Sequence, residues 1–134
     1  LACRLGLQER TVFVGWRDDL ARVLHAMDIF AFPSLNEGMG KALVEAMYCG
    51  VAPVATRVGG VPELVEDGRQ GLLVPPSRPD LLAQAITRLL GDKPLRLRLG
   101  KAARDKAAGY GAETMIQRLE ALYETVLREK GLSR

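Results

Sequence analysis

The sequence predicts an α/β fold, a parallel sheet flanked by helices, and three observations carry that prediction. Short β-type runs alternate with helix-type stretches over about residues 1–91, the order that a parallel sheet with helical crossovers requires. The β-type runs are apolar almost throughout instead of alternating, as strands covered on both faces are. Glycine and proline stand at most of their ends, where chain direction changes.

In chain order, Thr11 to Val14 forms the first β-type run and stops at Gly15. Asp18 or Asp19 is placed to cap a helix through Leu20, Val23 and Leu24, because a short carboxylate can accept the free N–H groups of a first turn. Asp28 to Phe32 is the next strand, ended by Pro33 and Ser34. A loop from Leu35 to Gly40 leads into a helix that reaches about Cys49 and stops at Gly50. Val51 to Ala55 is a third strand. Gly59 and Gly60 connect it to a short helix over Val61 to Glu66, and Asp67-Gly68 makes a turn into a last strand, Gly71 to Val74. The remainder is helical. Pro79 and Asp80 start a helix with Leu81, Leu82, Ala85, Ile86 and Leu89 on its apolar side. A second helix runs from about Pro94 to Ala108. The last, Glu113 to Glu129, carries Met115, Leu119, Leu122, Val126 and Leu127 on one stripe, the spacing of an amphipathic helix. About residues 1–91 thus form an α/β core, and about 92–134 a set of C-terminal helices.

Composition narrows the function. The 134 residues suffice for one domain with one core. With 48% hydrophobic and 26% charged residues, the chain can fold without help. A net charge of +3 suits an anionic ligand. Three Phe, three Tyr and one Trp are few for a single-strand nucleic-acid binder, which stacks bases on aromatic rings; no nucleic-acid partner is expected. Cys3 and Cys49 are far apart and lack metal-type spacing, which reads as reduced thiols in the cytoplasm. No apolar run approaches the roughly 20 residues of a membrane span. The chain opens on Leu1 in what reads as a helix end, so it is expected to be cut from a longer protein.

In parallel α/β sheets, ligands sit beyond the C-terminal ends of the strands. The loop there with most chemistry reads Glu37-Gly38-Met39-Gly40-Lys41-Ala42-Leu43-Val44-Glu45. Its glycines let an anion approach the first amides of a helix, which lack internal partners and carry the positive end of the helix dipole. Glu37 and Glu45 are each able to accept hydrogen bonds from the hydroxyls of a sugar or ribose. Plainer roles stay open at this point: favourable placement at a helix start for Glu37, and an i,i+4 pair with Lys41 for Glu45.

Glu37, seven intervening residues and Glu45 resemble the E-x7-E motif of the group 1 retaining glycosyltransferases. The neighbours are similar too: Phe32-Pro33-Ser34, Glu45-Ala46-Met47 with Cys49-Gly50, Ala55-Thr56, Gly59-Gly60 with Pro62-Glu63, Gly71 to Pro76, and Val12-Phe13-Val14-Gly15. The resemblance covers about residues 5–91. It implies a Rossmann-like, incomplete C-terminal domain of a GT-B fold, binding a nucleotide diphosphate sugar as donor, with no cofactor and no metal. Glu37 would be the catalytic carboxylate, touching the donor sugar or its developing positive charge. Gly38, Met39 and Gly40 would hold the diphosphate through their amides, and Glu45 the ribose. Leu43 and Val44 would pack near the nucleoside, and Gly15, Trp16 and Arg17 would lie near the base. The acceptor-binding N-terminal domain, and the Arg and Lys that neutralise the diphosphate, would belong to the part not present.

Two departures from the family pattern stand out. Met39 occupies a place usually aromatic, which an adaptable thioether can fill. Ala52-Pro53 replaces an earlier proline, so the strand start must tolerate a missing donor. A nucleotide-sugar-binding module without transferase activity and a GT-B epimerase are the alternatives weighed. A Rossmann cofactor domain is a third reading, and the absence of G-x-G-x-x-G after a first strand in this sequence counts against it. His25, the one histidine, reads as packing or surface, and Glu63 as a support for the Gly59-Gly60 turn. The basic run from Arg88 to Lys106 reads as a solvated face, with peripheral contact to the inner membrane surface as the second reading.

Overall fold

In a computed structural model, which describes residues 1–132, the chain forms a three-stranded parallel sheet in the order β1-β2-β3. The strands are β1 (Ile29–Phe32), β2 (Ala52–Thr56) and β3 (Leu72–Val74). The helices are α1 (Leu20–His25), α2 (Lys41–Tyr48), α3 (Val61–Leu64), α4 (Pro79–Gly91), α5 (Lys93–Ala107) and α6 (Ala112–Glu129). Short 3₁₀ turns cover Cys3–Leu5, Gln8–Arg10 and Ala108–Tyr110.

Register explains the apolar strands. Ile29 pairs with Ala52, and Val54 with Leu72; these residues point to one face, where Leu89 of α4 and Leu99 of α5 are buried. The alternate residues Phe30, Phe32, Ala55 and Leu73 point to the other, where Leu43 and Met47 of α2, Val61 and Leu64 of α3, and Ala103 and Ala107 of α5 pack. Every residue of β2 is buried, so the central strand has no polar face to alternate. Each fully buried Leu or Val contributes about 1.5–3 kcal/mol of transfer free energy. Pro53 is tolerated because it opposes Phe30 on one side, whereas pairing with β3 begins one residue later, at Val54.

Helix ends follow local chemistry. Gly50, with a φ of 77°, closes α2: its N–H reaches Met47 O at 2.9 Å, and Val51 N–H reaches Ala46 O at 3.1 Å, the double bond of a Schellman ending. Asp92 caps α5 by accepting the Leu95 N–H at 2.9 Å. Asp19 stands at the start of α1 but makes no side-chain cap bond, because Arg17 holds its carboxylate.

One expectation changes. Thr11 to Val14 lies in no strand. Among the described residues no neighbouring strand takes its N–H and C=O groups, and one short segment alone does not make a sheet; Val12 and Phe13 are 83% and 86% exposed. The apolar stripe on α6 meets no core among the described residues: Met115, Leu119, Leu122, Tyr123 and Val126 are all exposed. Cys3 and Cys49 are free thiols. Among the described residues no helix is long and apolar enough to cross a membrane.

Candidate functional site

The site is built at the C-terminal ends of β1 and β2. The loop 33–40 leaves β1 and turns into α2 at Gly40, whose left-handed φ of 65° suits a residue without Cβ. Gly40 O accepts the Val44 N–H at 3.0 Å and so begins the helical ladder. Glu37 is half-buried, and its Oε1 accepts the Gly40 N–H at 3.2 Å. The Glu37 carbonyl accepts the Gly60 N–H at 3.2 Å. Among the described residues, no acceptor takes the N–H of Gly38, Met39 or Lys41. Glu37, Gly38, Met39 and Gly40 lie together at the start of α2, and the Gly40 amide is engaged by the Glu37 side chain. The free N–H groups are its neighbours'.

Glu45 lies one turn further along α2. Its carboxylate is 4.0 Å from Lys41 Nζ, and Lys41 is almost fully solvated, so the pair is weak. Glu45 also borders an open cleft of about 340 Å³ lined by Leu20, Ala21, Val44, Tyr48 and Tyr110. Leu43, expected beside the nucleoside, is 0% exposed and packs in the core with Met47 and Ala55. At helical spacing it points to the sheet, and Val44, one residue on, faces the cleft instead.

The segment Gly15–Arg17 is exposed throughout. Trp16 is 89% exposed. Arg17 grips Asp19 with two bonds of 2.6 Å, and that hydrogen-bonded guanidinium holds the Asp19 carboxyl below its usual range. Among the described residues, no hydrogen bond or ion pair links Gly15, Trp16 or Arg17 to Glu37–Glu45. His25 is exposed and its Nδ1 meets Ala21 O at 2.7 Å, as a surface histidine does. Of the basic run, Arg96 binds Asp28 and Leu89 O, and Lys106 binds Glu63 O. No group of three or more His, Cys, Asp or Glu converges among the described residues.

One contact at this end of the sheet involves a residue outside the Glu37–Glu45 segment. Thr56, buried at the end of β2, donates its hydroxyl to Ser34 O, with Phe32 O 3.4 Å away. The signal was present in the sequence: a hydroxyl ending an otherwise apolar strand must find a partner when buried.

Comparisons with known proteins show the family. Residues 1–106 match the family Glycosyl transferases group 1. The chain is 39% identical over 121 residues to D-inositol 3-phosphate glycosyltransferase of Corynebacterium diphtheriae, covering 89% of this chain and 28% of that one. It is 33% identical over 130 residues to N-acetyl-alpha-D-glucosaminyl L-malate synthase of Bacillus anthracis, covering 96% and 34%. Among solved structures, sucrose-phosphate synthase from Thermosynechococcus elongatus superposes with a TM-score of 0.89 at 33% identity, covering 96% of this chain and 33% of that one. Anabaena HepE in complex with UDP-glucose superposes with 0.87 at 32%, covering 92% and 35%. The chain thus spans about a third of the length of these relatives. With the family match covering most of its residues, this chain belongs to the group 1 glycosyltransferases.

Proposed function

We propose that this chain is the donor-binding part of a retaining glycosyltransferase, which transfers a sugar from a nucleotide diphosphate sugar to an acceptor hydroxyl. One observation carries the reading: Gly38, Met39 and Lys41 present unengaged N–H groups at the start of α2, between two carboxylates and at the ligand-binding end of the sheet. UDP and UDP-glucose in the solved HepE complexes support a nucleotide-sugar ligand.

The difficult step is departure of a nucleoside diphosphate from an anomeric carbon that becomes cationic. Fixed N–H dipoles and the positive end of α2 stabilise the leaving diphosphate without reorganising; one such donor is worth about 3 kcal/mol of barrier. A phosphate oxygen at the helix start competes with Glu37 for the Gly40 N–H. The displaced carboxylate then turns to the donor sugar, where negative charge offsets the developing cation. Glu45 receives the ribose hydroxyls. The acceptor site, and the cations that complete the diphosphate clamp, belong to the two thirds of the relatives' length outside this chain, and the exposed stripe of α6 packs against that part. The free thiols support a cytoplasmic location.

Calorimetry of the full-length transferase against a panel of nucleotide sugars, followed by product analysis, tests the reading. A binding donor and transfer that collapses in Glu37→Ala are the results expected. A bound nucleotide sugar with no transfer product makes the chain part of a binding module, and an isomerised donor makes it part of an epimerase. The 134-residue chain alone is expected to show no useful turnover, and a rate comparable to the full-length protein overturns that division of labour.

A further inference from the structure

We infer that Thr56, Gly59 and Gly60 are positioning residues: the β2–α3 connection is the back wall that aims the Gly38 and Met39 amides at the donor diphosphate. This rests on the proposed function above and names parts of the same site that sit on a different segment of the chain.

The geometry is steric first. A Cβ placed on Gly59 would fall 1.8 Å from Glu37 O, and one on Gly60 would fall 2.1 Å from Gly38 O. Two successive carbonyls of the loop therefore lie directly against the turn. The Gly60 N–H fastens the first of them at 3.2 Å. In a trans peptide the C=O and the N–H of one plane point in opposite directions. The Glu37 carbonyl shares its plane with the Gly38 N–H, and the Gly38 carbonyl shares its plane with the Met39 N–H. Holding both carbonyls against the turn sends both N–H groups away from it, to the same side. In an extended strand, successive groups would alternate instead. These are two of the N–H groups that find no acceptor among the described residues, and neighbouring amides sharing one direction form an anion-binding concavity.

Thr56 fastens the other end of the loop. Its hydroxyl, 4% exposed as a residue, donates to Ser34 O where the chain leaves β1. The loop is thus tied at its entry by Thr56 and at Glu37 itself by Gly60, both on one connection of four further residues. Neither tie touches α2 beyond its start, so Glu45 and its cleft are outside their reach. This separation makes the inference specific: disturbing the wall should weaken binding of the phosphates and leave binding of the nucleoside alone.

The test uses the full-length transferase with UDP and uridine as probes, and GDP and guanosine in parallel, measured by ligand-observed NMR. The readout is the affinity gained by adding the diphosphate to the nucleoside. In Gly59→Ala, Gly60→Ala and Thr56→Val this gain should shrink about tenfold or more, the equivalent of one charge-assisted hydrogen bond, with nucleoside affinity unchanged. Thr56→Ser keeps the hydroxyl and should keep the gain. A merely structural role lowers the folded fraction or the melting temperature but moves neither dissociation constant. If a glycine variant does not fold, the Thr56→Val and Thr56→Ser pair decides. A full diphosphate gain in folded Thr56→Val overturns the inference and spares the proposed function. No diphosphate gain in the unsubstituted protein, with either base, overturns both.

Discussion

Glu37 Oε1 lies 3.2 Å from the backbone nitrogen of Gly40, three residues further on, so the carboxylate sits over the same helix start that is proposed to receive a phosphate. Two roles of Glu37 can therefore be separated by substitution. Glu37→Gln keeps an oxygen to accept the Gly40 N–H and should leave stability unchanged, whereas Glu37→Ala should cost about 1 kcal/mol in denaturant unfolding. Both should lower transfer by about a hundredfold or more, without weakening the nucleoside diphosphate, since a neighbouring negative charge is removed. Full transfer activity in Glu37→Gln would reduce this residue to a helix-start support.

Lys41 and Glu45 give a second separation. Their 4.0 Å contact is solvated, so neither partner needs the other for folding. Lys41→Ala should leave nucleoside affinity within about twofold, while Glu45→Ala should weaken it about tenfold as one charge-assisted hydrogen-bond acceptor is lost. Equal effects of the two substitutions, read by calorimetry, would return Glu45 to the role of an ion-pair partner.

The apolar stripe of α6 yields a test of the neighbour proposed for it. In the 134-residue chain, Met115→Glu and Leu122→Glu should leave the melting temperature unchanged, because these side chains are exposed. In the full-length transferase the same substitutions should destabilise by several kcal/mol, as burial of an unpaired charge does. Identical small effects in both would show that nothing covers the helix.

Asp80 supplies a pH dependence. A hydrogen bond from the Arg78 guanidinium lowers its carboxyl to about 2. An aspartate in the unfolded chain titrates near ~3.9. Because the folded value is the lower one, the pair's contribution is present above the unfolded value. It is lost as pH falls toward 2. The group is solvated, so the contribution is small. Carboxyl NMR should show a midpoint about 2 that returns to the ordinary aspartate range in Arg78→Ala; an unmoved midpoint would assign the shift to another cause.

Asp92 offers a purely structural control. Its Oδ1 accepts the Leu95 N–H at 2.9 Å at the start of α5. Asp92→Ala should lower unfolding stability by about 1 kcal/mol with no change in nucleotide affinity. A change in affinity would mean that α5 influences the site.

Residue types and their spacing were enough to reveal β1, β2, β3 and the helices between them, because each element buries a pattern that its own period dictates. The same local information placed Glu37 beside Gly40, since both lie on one short loop whose turn chemistry is written in adjacent residues. Three matters depended on tertiary packing. Leu43 went to the core and Val44 to the cleft, a choice set by which side of α2 meets the sheet. Thr11 to Val14 stayed unpaired, because a strand exists only where a neighbour takes its hydrogen bonds. Gly59 and Gly60 came to lie against Glu37 and Gly38, more than twenty residues away in the chain. Local pattern states what a segment can bury or donate; only the folded chain determines what stands opposite it.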